Sequence, residues 1–391
     1  RAPARRSSWL AGAPASRRAA ASVGLGADLQ RLFLKLCPMR VVHALAAREA
    51  AQLRARALQE EGAHMAEVTA VGRTAFLASR ARLAEAQAPE PLFPSHFEEL
   101  LASRVFDAVL LRSRLPLLAR AAKDNVDVVS DGEDMPAWLG IGSSTAYFDL
   151  RLAQALGEGT RQVVSLGSGL DCRAVRLAQP AAERGGGDRL LFVEVDEGPL
   201  LDFKASRLAA AGWSPYPAAL VKGNYLAFDL VGELLARGVD PEQPVFFLWE
   251  ANTMYLQPDA CRAFLGGILS AFPRCTVVFD YFTAPVAGPD GPRPTGCAET
   301  DRELEIVVRA VGEGEWLLIG PWDARLAQEE LGYQVLEDLA LPDVIRLVRG
   351  QEVASQAIAK FHREFEVGLH ACQRFCAVRP GRGGGGAAGP A

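Results

Sequence analysis

Two glycines one residue apart, Gly167 and Gly169, follow directly on the apolar run Gln162-Val163-Val164-Ser165-Leu166. A strand that ends in such a pair can turn sharply and bring bare backbone against a ligand, because neither glycine carries a Cβ. The turn continues through Ser168, Leu170, Asp171 and Cys172. Alone, this loop says only that a nucleoside would find room there. Two carboxylates narrow the chemistry. Asp196 ends a second apolar run, Leu190-Leu191-Phe192-Val193-Glu194-Val195, where it can accept two hydrogen bonds from a ribose diol. Asp171 and Cys172 fall where a dinucleotide fingerprint needs an open helix start and a third small residue. A carboxylate there repels pyrophosphate and suits a cationic amino group and a sulfonium. The loop therefore favours S-adenosylmethionine over NAD(P), and an NAD(P)-dependent oxidoreductase is the weaker alternative.

The elements that must hold these residues alternate. The runs at 162–166 and 190–195 read as strands, as do Ala218 to Lys222, Val245 to Trp249 ending at Glu250, and Cys275 to Phe279 ending at Asp280. Helical stretches separate them from Arg173, over Pro199 to Ala211, and over Pro258 to Ala271. That succession predicts a doubly wound, mostly parallel α/β sheet covered on both faces. Tyr333 to Leu336 and Arg374 to Arg379 read as two closing strands. Asp196 lies farther from Gly169 than a dinucleotide fold usually places it, and the Gly-rich stretch Ala181 to Asp188 reads as a surface insertion that accounts for this.

The first 150 residues contain no comparable strands. Val41 to Ala70, Arg73 to Gln87 and His96 to Lys123 read as helical, with Pro89, Pro91 and Pro94 between the last two. Asp124 to Gly142 reads as a polar connection, and Ser143 and Ser144 as N-caps of a helix through Tyr147 to Leu156. The expected division is a leader over 1–40, a helical cover over 41–157, an α/β core over 158–379 and a disordered tail over 380–391. Arg1 to Ala27 holds five arginines and no acid, the composition of an organellar transit segment or of a disordered leader.

Composition excludes little but points one way. A net charge of −5 argues against a general electrostatic grip on nucleic acid. Every long apolar stretch is broken by charge or proline, so no membrane span is expected, and a soluble protein, cytoplasmic or organellar, is. The seven cysteines and five histidines lack zinc-site spacing, so no metal site is expected and the thiols are read as reduced.

The segment Val163-Val164-Ser165-Leu166-Gly167-Ser168-Gly169-Leu170-Asp171-Cys172-Arg173-Ala174-Val175-Arg176-Leu177 resembles the motif V-V-x-L-G-x-G-L-D-T-R-A-x-R-L of the leucine carboxyl methyltransferase-like family. Further blocks follow in family order: Glu194-Val195-Asp196 with Leu201-Asp202-Phe203-Lys204, then Phe228-Asp229-Leu230, then Glu250 with Met254-Tyr255-Leu256. The resemblance spans roughly Arg73 to Arg379. It implies a class I methyltransferase domain with a helical cover over S-adenosylmethionine. By the same resemblance, Gly167, Ser168, Gly169 and Asp171 would hold the methionine end and Asp196 the ribose. Asp229 and Leu230 would contact the adenine, and Glu250 would face the amino group; an N-cap role for Glu250 stays open.

Two departures stand out. The family usually carries an arginine before its Y/F-F-D segment, placed to pair with the cofactor carboxylate. Here Ser143-Ser144-Thr145-Ala146-Tyr147-Phe148-Asp149 has none, which leaves Arg73 or Arg80 to supply the charge, or hydroxyls to substitute for it. After Glu250, Ala251-Asn252-Thr253 replaces a glycine and two apolar residues. No histidine lies in a motif block, and Asp280 and Tyr255 are the candidate bases at strand ends. The expected reaction is O-methylation of a carboxylate or acidic hydroxyl on a small molecule or protein; a non-catalytic cofactor-binding module is the alternative.

Overall fold

In a computed structural model, residues 68–86, 91–93, 101, 138–177, 190–283, 287–288, 291–292, 328, 330–366 and 369–381 are described. The leader, the expected helices before residue 68 and over 96–123, the insertion at 181–188 and the tail lie outside these, apart from Leu101, Gly381 and Pro380, which ends a strand rather than opening the tail.

The sheet has seven strands: β1 (Gln162–Leu166), β2 (Leu191–Asp196), β3 (Ala219–Lys222), β4 (Val245–Trp249), β5 (Cys275–Phe282), β8 (Tyr333–Ala340) and β9 (Gln373–Pro380). A separate two-strand ribbon pairs β6 (Ala287–Gly288) with β7 (Gly291–Pro292). The order in the large sheet is β3-β2-β1-β4-β5-β9-β8. The first five strands run parallel, and β9 is antiparallel to both β5 and β8. This is the doubly wound α/β fold expected. The chain winds outward from β1 to β3, then returns to lay β4 on the other side of β1. The switch point between β1 and β4 is where such sheets leave a crevice at their carboxyl ends.

Strand alternation explains the two covered faces. Along β4, Phe247 and Trp249 enter one core with Leu230 and Leu234 of α4 (Leu230–Ala236) and with Leu265 and Ile268 of α5 (Pro258–Ala271). Phe246 and Leu248 enter the other core. There they meet α2 (Ser143–Gly157), α6 (Leu341–Arg349) and α7 (Gln351–Lys360). Successive side chains of a strand point to opposite faces, so near-continuous apolar runs are what a sheet covered on both sides requires. The remaining helices are α1 (Ala70–Ala86), α3 (Gly198–Ala210) and α8 (His362–Glu366). None of the described helices is long and apolar enough to cross a membrane.

Three local expectations are corrected. Ser143 and Ser144 do not cap α2, because Trp138–Gly142 forms a π-helical turn that runs straight into it. With Gly142 itself helical, the first N–H groups of α2 are not orphaned, and the Ser143 hydroxyl instead accepts from Arg349 Nε at 3.0 Å. The same turn replaces the end of the expected polar connection. Asp280 is not at a strand end: β5 runs on to Phe282, held by antiparallel pairing with β9 that a local reading of β5 does not reveal.

Candidate functional site

Strand register brings the chemically interesting ends together. Leu166 pairs with Val195, so Gly167 and Asp196 leave β1 and β2 side by side. Ser165 pairs with Leu248 and Trp249 with Phe279, so Glu250 emerges next to the glycine loop and beside Asp280. Gly167 has φ of 59° and Gly169 of 49°, left-handed conformations that any Cβ would strain. Space is short as well. A Cβ on Gly167 would lie 2.0 Å from Asn252 Oδ1, and one on Gly169 would lie 3.1 Å from the Ala75 methyl of α1.

Three donors of the loop are satisfied within the fold. Ser168 N donates to Val195 O at 3.1 Å, Gly169 N to Asp196 Oδ2 at 2.6 Å, and Asp171 N to Ser168 O at 2.9 Å. Residues 173–177 are helical, and Arg173 N donates to Asp171 Oδ1 at 2.8 Å. A pyrophosphate site needs such N–H groups turned toward the ligand. Here they are spent within the fold, which disfavours a dinucleotide. The expected reason, repulsion by a lone Asp171, gives way to this one, because Asp171 is not alone.

Asp171 belongs to a buried network of three carboxylates and three arginines. Arg173 Nη1 donates to Asp171 Oδ2 at 2.7 Å and to Glu250 Oε2 at 2.6 Å. Its Nε reaches Asp149 Oδ1 at 2.5 Å and its Nη2 the Thr145 carbonyl at 3.0 Å. Arg82 of α1 donates to Glu250 Oε1 and to Thr145 Oγ1, each at 3.1 Å, and Thr145 Oγ1 donates to Glu250 Oε1 at 3.0 Å. Arg176 Nη1 closes on Asp149 Oδ2 at 2.7 Å. Burial by itself would raise the carboxyl pKa of Asp171; Arg173 and Arg82 outweigh it and hold the group well below the usual carboxylate range. Glu250 is not a helix cap: Asn252 caps the short 3₁₀ turn Thr253–Tyr255 that follows.

Asp196 sits differently. Its two oxygens accept from Gly169 N at 2.6 Å and Glu197 N at 2.7 Å. A carboxylate has about four acceptor sites, which leaves capacity for a diol. Burial pushes its pKa up despite the two backbone donors.

The β4 tip is strained and pinned. Ala251 has φ of 54°, the one described non-glycine residue with positive φ, and its N–H donates to Asp280 Oδ1 at 2.6 Å. Asn252 Nδ2 donates to the Glu250 carbonyl at 2.8 Å and the Gly167 carbonyl at 3.1 Å. Thr253 Oγ1 donates to the Asp280 carbonyl, and Gln373 Nε2 to Asp280 Oδ2 at 3.2 Å. Burial pushes the Asp280 carboxyl up to about 7, helped by the neighbouring Glu250 charge. Tyr255 lies in the 3₁₀ turn and contacts Thr74 of α1 at 3.3 Å.

The structure thus gathers Gly167, Ser168, Gly169, Asp171, Asp196 and Glu250 at one crevice. Asp229 and Leu230 follow the carboxyl end of β3, where Lys222 pairs with Asp196. Asp229 caps α4 by accepting from Gly232 N at 2.9 Å, and it lines a surface hollow of about 650 Å³ with Lys222, Phe228 and Arg237; Leu230 is buried in the core. The side chains of Arg73 and Arg80 lie outside the described set. The arginine that reaches the crevice is Arg82, which sequence reasoning missed. Nothing local singles it out; only its place on the α1 face whose Ala75 lies against Gly169 brings it there. No metal-binding cluster occurs among the described residues, and the described cysteines are free thiols.

Residues 74–269 match the family model described as leucine carboxyl methyltransferase. A protein named "Putative S-adenosyl-L-methionine-dependent methyltransferase" from a Mycobacterium species is 33% identical over 207 residues, covering 51% of this chain and 63% of that protein. One of the same name from Mycobacterium tuberculosis is 35% identical over 192 residues, covering 49% of this chain and 59% of its own length. The chain therefore spans about three fifths of these relatives. The crystal structure of a DUF574 family protein from Streptomyces avermitilis aligns over 62% of this chain and 84% of its own, with 16% identity and a TM-score of 0.42.

Proposed function

We propose that this chain, which belongs to the leucine carboxyl methyltransferase family, is an S-adenosylmethionine-dependent methyltransferase that methylates an oxygen of a carboxylate or acidic hydroxyl on a small molecule or protein. The observation that carries the reading is the glycine loop itself. The N–H groups of Ser168, Gly169, Asp171 and Arg173 are satisfied from within, while Asp196 retains acceptor capacity beside them. That arrangement suits a nucleoside diol without phosphates. The names of the mycobacterial relatives agree with it.

Bound S-adenosylmethionine would supply a methyl group activated by its sulfonium, so the protein's task is to align acceptor and methyl carbon. Asp196 would hold the ribose. Glu250, between Arg82 and Arg173, would accept from the amino group without leaving an uncompensated charge. Ala251, Asn252 and Thr253 form the rim where an acceptor would approach. An acceptor already ionised at neutral pH needs no base. For a hydroxyl, Asp280 is the nearby carboxyl whose raised pKa matches that task.

Calorimetric titration with S-adenosylmethionine, S-adenosylhomocysteine and NAD tests the cofactor. Binding of NAD and of neither methionine nucleoside would sink the reading. Transfer of labelled methyl into a fractionated extract tests the reaction, and base lability of the product separates ester from ether.

A further inference from the structure

Among the described residues, two buried serine hydroxyls meet no hydrogen-bond partner: Ser79 Oγ and Ser168 Oγ. Ser79 is 2% exposed and Ser168 5%, so bulk solvent does not reach either. Burying an unsatisfied hydroxyl costs free energy, and an orphan in a native fold calls for an explanation. One isolated case would be a packing defect. Both belong to the segments that meet where Ala75 of α1 lies against Gly169.

The geometry of α1 places them. Gly72, Ala75, Ser79 and Arg82 recur at three, four and three residues, which puts them on one helix face. The neighbours of that face are known at three of the four positions. Gly72 lies directly against Glu197, where a Cβ would fall 1.5 Å from Oε1. Ala75 lies against Gly169. Arg82 reaches Thr145 and Glu250. Ser79 stands between the last two, over the loop that carries Ser168.

The charge around that meeting point is balanced. Arg82, Arg173 and Arg176 balance Asp149, Asp171 and Glu250. The amino-acid end of S-adenosylmethionine, one ammonium and one carboxylate, adds no net charge to that balance. Residue 144, where the family resemblance leads one to expect an arginine for a carboxylate, is a buried serine.

We propose that the hydroxyls of Ser79 and Ser168, backed by the Arg82 guanidinium, seat the carboxylate of the cofactor's amino-acid end in place of the absent arginine. This rests on the S-adenosylmethionine reading above. Both hydroxyls donate to the carboxylate, and no proton changes hands.

The test compares two nucleosides on the full chain by calorimetry. S-adenosylhomocysteine carries the amino-acid end; methylthioadenosine keeps the adenosine and thioether and lacks it. Ser79→Ala and Ser168→Ala should each weaken S-adenosylhomocysteine roughly three- to tenfold, the scale of one lost hydrogen bond. Methylthioadenosine affinity should not move. The melting temperature of the ligand-free variants should not fall, because an orphan is being removed. Equal weakening of both nucleosides, weakening of neither, or a lowered melting temperature overturns the proposal while leaving the cofactor reading standing. A wild-type chain that binds neither nucleoside removes both.

Discussion

Two buried ion-pair systems lie close together in this fold and are built on opposite principles. Behind β2, Lys204 Nζ pairs with Glu194 Oε2 at 2.8 Å, both side chains 1% exposed, and Tyr216 donates its hydroxyl to the same carboxylate at 2.9 Å. At the glycine loop, three arginines share three carboxylates. The consequence appears in the carboxyl groups. Burial raises Glu194 above its ordinary value, and one lysine and one phenol only partly offset it. Burial also acts on Asp171, but Arg173, Arg82, Lys204 and Arg176 together drive it well below. The number of cations acting on each carboxyl, four on Asp171 against Lys204 on Glu194, decides which effect wins. Among the described residues, the β2 pair hydrogen-bonds within itself and to Tyr216, and touches the loop cluster only through its field. The loop cluster, balanced at three cations to three carboxylates, stands beside two orphan hydroxyls.

The sharpest way to break this contrast is to remove the hub. Arg173→Met leaves Asp171, Asp149 and Glu250 to share Arg82 and Arg176. The expected loss is about 3–5 kcal/mol of unfolding free energy in denaturant titration. Arg173→Lys should recover little, because one ammonium cannot reach three carboxylates and the Thr145 carbonyl in the geometry of a planar fork. Near-wild-type stability for either variant would show that the cluster is not a unit.

Asp280 extends the comparison to a buried carboxyl with no cation at all. Its folded pKa of about 7 stands above the ordinary Asp value of about 3.9. The folded state therefore keeps a proton that the unfolded state releases, and the stability this group contributes is lost as pH rises from about 4 through 7. Asp280→Asn removes that dependence while keeping an oxygen for the Ala251 N–H. The variant should match the wild type near pH 4 and exceed it by about 3 kcal/mol at pH 8. Parallel stability curves for the two proteins would place the Asp280 titration elsewhere.

Lys204→Met is the milder counterpart of Arg173→Met. Glu194 is already displaced toward its neutral form and keeps the Tyr216 donor, so it can take up a proton. The expected cost is about 2 kcal/mol at neutral pH, smaller at acid pH, with Lys204→Met/Glu194→Gln recovering most of it. A cost equal to that of Arg173→Met would erase the distinction between the two systems.

How far these features were legible in the sequence follows the same divide. The strand alternation, the Gly167–Asp171 loop and Asp196 were readable because each depends on neighbours within one strand–turn–helix unit. The antiparallel β8–β9 pair was visible only in part, since the extension of β5 past Asp280 comes from a partner about a hundred residues away. Arg82 was not readable. It lies on an Ala- and Arg-rich helix with nothing local to single it out, and its partners Thr145 and Glu250 are 63 and 168 residues distant. The internal capture of Asp171 by Arg173 was two residues away and still missed, because a charge read in isolation looks free.

The smallest effect probes strain at the site rather than charge. Ala251 holds φ of 54° with its methyl exposed, at the position where the family resemblance leads one to expect glycine. An L-residue pays roughly 1–2 kcal/mol in that region, and the exposed methyl returns little packing. Ala251→Gly keeps the N–H that Asp280 accepts and leaves Asn252 on the Gly167 carbonyl. It should raise stability by about 1 kcal/mol, less than the strain itself because glycine also widens the unfolded ensemble. Binding of S-adenosylhomocysteine should stay unchanged, since the anchors on both sides of residue 251 persist. A loss of stability would mean that the methyl is packed against something outside the described residues. A gain in stability with weaker binding would mean that the strained alanine is what holds Glu250 and Asn252 in register with the loop.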